Sequence, residues 1–275
     1  MEFTKTTIHI GLEKPFKVLH LSDTHLTYAD DRDDQRKLDL AAARHKTFGP
    51  TEDRLAEAVA YAKQNSLPII HTGDLIDFVS WLNIDKAREF CTENDVFTAA
   101  GNHEFSLYVG EAFEDADYRN QSLEKVQSAF TNDIRFAVRE IGGVNFIAVD
   151  NGYYLFEPWQ LEKLKAVAAL GKPIVLMMHT PVYTRALYDT MMSRKADNAA
   201  IMGTPEELMQ NYTEYRYRQQ KPDAPTLEAF EYIKSEPLIK ALIVGHLHFN
   251  FEDPVTDTLT QYCTGVNCAR EITFD

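Results

Sequence analysis

The stretch Leu67-Pro68-Ile69-Ile70-His71-Thr72-Gly73-Asp74-Leu75-Ile76-Asp77 decides the fold. Its first six residues are a short apolar run that ends at a glycine. It is too brief for a helix and reads as a strand buried on both faces. Strands of that kind belong to the parallel sheet of an α/β protein. The carboxylates that follow, Asp74 and Asp77, then stand at the strand's carboxyl end, where open α/β sheets carry their sites. The pattern repeats outward in both directions. Phe16–Leu21 precedes Asp23-Thr24-His25, and Val96–Ala100 precedes Gly101-Asn102-His103-Glu104. Pro173–Met178 precedes His179-Thr180-Pro181, and Ile239–Val244 precedes Gly245-His246-Leu247-His248.

Between these strands the chain reads as helices over 51–65, about 79–92 and 158–170, the last with Pro158 in its first turn. Residues 3–10 alternate as a strand, and 134–141 with 144–149 form a hairpin turning at Gly142-Gly143. Strands near 249–255, 258–263 and 271–274 close the chain without intervening helices, which predicts a second sheet. The segments 28–50 and 105–120 read as loops that could rim or cover a site. Residues 180–238 are long for a strand connection, and we expect a cap or rim insertion there within a single domain spanning 1–275. The insertion holds Tyr183, Arg185, Tyr188, Arg194 and the run from Tyr212 to Arg218. Such residues suit a planar group carrying a phosphate. They equally suit a surface helix with buried tyrosines and solvated arginines.

Composition limits the partners. The chain has 275 residues, 44% of them hydrophobic, enough for a large core. A net charge of −14 repels phosphate backbones and anionic membranes, so nucleic acid is disfavoured. No apolar run approaches the length of a membrane span, and Met1–Leu12 lacks the pattern of a signal peptide. Three cysteines, Cys91, Cys263 and Cys268, show no metal-type pairing and read as reduced buried thiols, which predicts a cytoplasmic protein. The acidic run Asp30–Asp34 reads as a solvated loop. The sequence leaves the oligomeric state open.

Each motif is weak alone, since a D-x-H or an H-x-H is common by chance. Together, in this order and each at a strand end, they supply the oxygen and nitrogen ligands that two neighbouring metal ions need. Carboxylate, imidazole and amide donors favour Mn, Fe, Zn or Co over calcium or magnesium. His246 and His248, two apart, face one side of an extended segment.

The order and spacing of these motifs resemble the calcineurin-like metallophosphoesterase superfamily, from residue 23 to residue 248. They are most similar to its non-protein-phosphatase branches, the cyclic-nucleotide phosphodiesterase group among them. Ser/Thr protein phosphatases of the superfamily carry an arginine after the last aspartate of their GD motif. Here Asp77 is followed by Phe78. The resemblance implies a four-layer α/β/β/α sandwich with two mixed sheets flanked by helices. It also implies that Asp23, His25 and His248 hold one metal, that Asn102, His179 and His246 hold the second, and that Asp74 bridges them. Bound water would become hydroxide and attack phosphorus in line. His103 would protonate the leaving group, and Asp77 would orient the site, with Glu104 a weaker candidate for that role. The expected substrate is a small phosphodiester or phosphomonoester, a nucleotide among the options. Competing readings are a repair-type nuclease and a scaffold that keeps the fold without the activity. His9, His20, His45 and His71 read as structural, though His20 and His71 lie on strands that lead into the motifs.

Overall fold

Strands come first because the apolar runs are short and bounded by polar turns. In the computed structural model, which describes residues 1–110 and 115–275, the chain runs β1 (Glu2–Ile8), β2 (Phe16–Leu21), α1 (Gln35–Phe48), α2 (Thr51–Asn65), β3 (Ile69–His71), α3 (Trp81–Glu93) and β4 (Phe97–Thr98). It continues through α4 (Ala116–Asn120), α5 (Leu123–Gln127), β5 (Phe136–Ile141), β6 (Val144–Val149), α6 (Pro158–Ala168), β7 (Ile174–Met178) and α7 (Arg185–Arg194). The last elements are α8 (Glu214–Gln220), α9 (Ala224–Ser235), β8 (Ile239–Val244), β9 (Phe251–Pro254), β10 (Thr260–Cys263) and β11 (Cys268–Phe274).

The strands form two mixed sheets, ordered β1-β11-β2-β3-β4 and β5-β6-β7-β8-β10-β9. In the first, β2, β3 and β4 are parallel; in the second, β6, β7, β8 and β10 are parallel. Strand alternation then builds the layers. Val144, Phe146 and Ala148 of β6 pack with Val18, Ile70, Ile272 and Phe274 of the first sheet, filling the space between the sheets. Ile147 and Val149 face the other way, onto Leu161 and Leu164 of α6 and Phe230 and Ile233 of α9. On the far side, Leu19, Leu21 and Ile69 meet Leu55 and Ala58 of α2 and Ile84 and Phe90 of α3. The result is the expected α/β/β/α sandwich. Cys91, Cys263 and Cys268 are free and buried in it.

Two expectations need correction. Residues 28–50 are not all loop, because α1 occupies 35–48, capped by Asp34, whose side chain accepts from Lys37 N at 3.0 Å. The helix escapes a periodicity reading because only Ala41 and Phe48 are buried on it. The final strand does not join the second sheet; β11 lies between β1 and β2 in the first, and the second sheet opens earlier with the β5–β6 hairpin. Within the 180–238 segment, α9 packs beside α6 in an outer helical layer. Of the 105–120 segment, residues 111–114 lie outside the described residues. No described helix is long and apolar enough to cross a membrane.

Candidate metal centre

The sheets' parallel strands end at one edge, and the five motifs gather there. The turns are tight enough to force unusual backbone. Asp23, His25, Asp74, His246 and His248 all have positive φ, between 51° and 70°. Non-glycine residues enter that region at a cost of order 1–3 kcal/mol each, and such residues collect at functional sites. Close packing of the turns also demands glycine at two places. A Cβ on Gly101 would lie 2.2 Å from Asp74 Oδ1, and one on Gly245 would lie 1.8 Å from Ser22 Oγ and 2.6 Å from Asp23 Oδ2.

Three overlapping groups of donor atoms result: Asp23 with His25 and His248; His25 with Asp74 and His103; and Asp74 with His179 and His246. His248 Nε2 is 3.3 Å from Asp23 Oδ1 and 3.1 Å from His25 Nε2. His179 Nε2 is 3.1 Å from both Asp74 Oδ2 and His246 Nδ1. The same Asp74 oxygen is 3.9 Å from His25 Nε2, so this one carboxylate stands between the two imidazole pairs. All of these residues except His248 are largely or fully buried.

Three of these rings are oriented by a partner on the far side. His25 Nδ1 donates to Asp77 Oδ1 at 2.9 Å, and His179 Nδ1 donates to the Thr72 carbonyl at 2.7 Å. His246 Nε2 lies 2.8 Å from Tyr154 Oη. This arrangement fixes which nitrogen faces inward, as in metal sites whose ligands are held by outer partners. Asn102 Oδ1 is buried without a hydrogen-bond partner. An orphaned carbonyl oxygen is costly unless something electropositive meets it. That oxygen and the facing imidazole nitrogens, 3.1 Å apart, fit metal ions with mixed oxygen and nitrogen shells.

The charges are strongly coupled. Burial acts to raise Asp23, but His248 and His179 hold it well below the usual carboxylate range. Asp74 is likewise lowered against burial by His179 and His103. Burial acts to lower His179 and His103, but Asp74 and its neighbours push them up to about 9 and about 10. Buried His25 and partly buried His246 are driven down by desolvation, which favours their neutral forms.

Asp77 is fully buried and joins three groups. Besides His25, it takes a two-pronged contact from Arg44 of α1, Nε to Oδ2 at 2.6 Å and Nη2 to Oδ1 at 2.8 Å. Its backbone carbonyl accepts from His103 Nδ1 at 2.7 Å. Glu104 clamps loops together. Its carboxylate accepts from the amides of Asp74, Leu75 and Gly101 at 2.6–2.7 Å, while burial and Asp74 raise it to about 7. His71 links two ligand loops, its ring meeting Thr24 Oγ1 at 2.9 Å and Gly73 N at 3.1 Å; burial lowers it to about 3, so it is neutral. His20 sits between the Thr72 and Thr264 hydroxyls.

A cavity of about 490 Å³ opens over Asp74, Asn102, His103, His246 and His248. Its other walls come from Ser106, Val109 and Gly110, from Tyr154, and from Lys195, Asn198, Tyr215, Arg216 and Gln219 of the 180–238 segment. Most of the other aromatic and basic residues singled out there are structural. Tyr188 and Tyr212 are buried and bond Leu208 O and Ala199 N; Arg185 pairs with Asp189; Arg194 stacks on Phe249. Arg218 faces a neighbouring cleft beside Asp115 and Asp223.

Sequence reasoning missed Arg44, Tyr154, Asn151 and Lys195. Asn151 accepts from the amides of His179 and Thr180 at 3.0 Å and so sets the His179 turn. A signal existed for two of them. Asp150-Asn151-Gly152-Tyr153-Tyr154 follows buried β6, the same strand-then-polar pattern that marked the motifs. Nothing local marks Arg44.

A family model described as calcineurin-like phosphoesterase matches residues 16–250. The chain belongs to that family. It is accordingly a metal-dependent phosphoesterase, a hydrolase whose candidate dimetal residues are the His and Asp groups above. A solved dimetal phosphatase from Danio rerio shares the fold of this family member, with TM-score 0.57 and 14% identity over 92% of this chain and 88% of that one. The phosphopantetheinyl hydrolase of Mycobacterium tuberculosis aligns at TM-score 0.45 and 13% identity, covering 91% of this chain and 90% of the other. The 5′-nucleotidase of Candida albicans aligns at TM-score 0.42 and 15% identity, covering 91% of this chain and 46% of that longer one. A search of curated proteins finds no significant match to this phosphoesterase.

Proposed function

We propose that this phosphoesterase hydrolyses a small phosphate ester at the Asp74 edge, with seven residues holding two transition metals. Asp23, His25 and His248 would hold one ion, Asn102, His179 and His246 the other, and Asp74 both. The observation that carries this reading is Asp74 itself, whose Oδ2 lies between His179 Nε2 at 3.1 Å and His25 Nε2 at 3.9 Å. Manganese, iron, zinc and cobalt suit the donor set. Once bound, they would supply Lewis acidity and an acidified water.

The protein's own residues do the rest. Water adds to phosphorus, the ester P–O bond breaks, and the leaving alkoxide needs a proton. His103 borders the cavity, and its Nδ1 is engaged by the Asp77 carbonyl, which leaves Nε2 to carry that proton. Burial acts to lower that ring, but Asp74 and Asp77 push it up, the direction a proton donor requires. Asp77 positions both His25 and His103 and is fixed by Arg44. We also favour a branch other than the protein phosphatases, because Phe78 is buried in the core and brings no cation to the site.

The test is a screen of metal-reconstituted enzyme on p-nitrophenyl phosphate, bis-p-nitrophenyl phosphate and 2′,3′- and 3′,5′-cyclic nucleotides. Hydrolysis that is lost to chelator and restored by manganese supports the proposal and separates monoesterase from diesterase. No turnover with any metal would overturn it.

A further inference from the structure

The mouth of the cavity carries a second set of charges that the hydrolytic reading leaves unused. Lys195 follows α7 and Arg216 lies on α8, twenty-one positions apart, yet both line the same cavity as Asp74 and His103. Arg216 is held in place. Its Nη1 donates to Gln219 Oε1 at 2.7 Å, and its guanidinium carbon lies 5.2 Å from the centre of the Tyr215 ring. A guanidinium has five N–H donors, so one bond to Gln219 leaves most of its capacity available. Among the described residues no carboxylate forms an ion pair with Lys195 or Arg216, and Asp74 is the one acid lining the cavity. Two cations near one another repel: partial desolvation and then Arg216 act to lower Lys195, and Asp197 opposes them only in part. In a chain of net charge −14, such a pair is retained at a cost unless an anion meets it.

We propose that Lys195 and Arg216 bind a second anionic group, a phosphate or carboxylate, carried by the same substrate whose ester is cleaved at the Asp74 edge. The inference rests on that edge being the hydrolytic site. A cavity of about 490 Å³ is in the range that encloses a small metabolite, so both groups of one molecule fit between its walls. Arginine suits the role because its planar fork matches two anionic oxygens, whereas lysine adds a point charge. The two-anion compound therefore gains a contact that a simple aryl phosphate cannot make.

The experiment compares wild type, Arg216→Gln, Lys195→Gln, the double variant and Arg216→Lys, all manganese-loaded. Substrates are taken in pairs that differ by one anion: adenosine 5′-monophosphate with adenosine 3′,5′-bisphosphate, and glycerol 3-phosphate with 3-phosphoglycerate. Wild type should favour the two-anion member of one pair in kcat/KM. The double variant should lose about tenfold more on that member than on its partner, mainly in KM, the size expected for charge-assisted contacts that are partly solvated. Arg216→Lys should recover part of the preference. The pair that responds identifies the second anion as phosphate or carboxylate. Equal losses within both pairs, or no wild-type preference in either, would overturn the proposal. If wild type hydrolyses nothing, the hydrolytic reading fails separately. Calorimetric titration with pyrophosphate then decides the cation site: weaker binding in the double variant supports it, and unchanged binding removes it.

Discussion

The strand-end edge and the insertion rim face the same cavity but are built in opposite ways. At the edge, the candidate ligands are mostly buried, five sit in left-handed backbone, and His25, His179 and His246 each have a partner on the far nitrogen. At the rim, Lys195 and Tyr215 are exposed, Arg216 is half-buried, and the helix that carries two of them has seven residues. The edge holds strain that only a well-packed scaffold tolerates. On the rim side, Ala200 is the lining residue with left-handed backbone, and Lys195, Tyr215 and Arg216 lie outside the sheets. Reaction chemistry needs donors fixed to a fraction of an ångström, so it belongs on strand ends. Choice of substrate tolerates more freedom and belongs on the connection.

The comparison breaks most sharply at Asp74. Asp74→Ala should abolish turnover, by about 10³-fold or more, and should release at least one metal equivalent on elemental analysis. It also removes the acceptor for the His103 amide at 2.8 Å, so the adjacent loop should loosen. Retention of both metals with full turnover would show that the edge is not the rigid centre described. His103→Ala should keep both metals and slow alkyl phosphates by about 10²–10⁴-fold, because an alkoxide needs a proton. Loss on p-nitrophenyl phosphate should be far smaller. Equal losses on good and poor leaving groups would remove His103 from the donor role. Arg44→Met sharpens the boundary between the two regions, since α1 is outside both. We expect about a 10–100-fold fall in activity with near-native melting, the usual scale for a residue that positions a ligand through another. A variant that melts early but turns over normally when folded would make Arg44 structural only.

Much of the fold was legible because its signals are local. Phe16–Leu21 and Ile239–Val244 were bounded to the residue, and Val144–Val149 is buried throughout, as a continuous apolar run requires. Helix α1 was not legible, because a helix with two buried residues carries little periodicity. The destination of β11 was not legible either. The residues of a strand say that it pairs, and tertiary packing decides that β11 lies between β1 and β2.

The same division holds for the site. The sequence by itself determined which residue types stand at the ends of five strands, and hence that oxygen and nitrogen donors converge there, because strand polarity and spacing are local properties. Tertiary structure alone decided what each donor faces. It set Asp74 between two imidazole pairs, brought Arg44 from thirty-three positions away onto Asp77, and placed Lys195 and Arg216 in the walls of the cavity that His103 borders. Those contacts depend on how two sheets and their helices pack. Packing is a sum over many weak, long-range contacts that no short stretch of sequence contains.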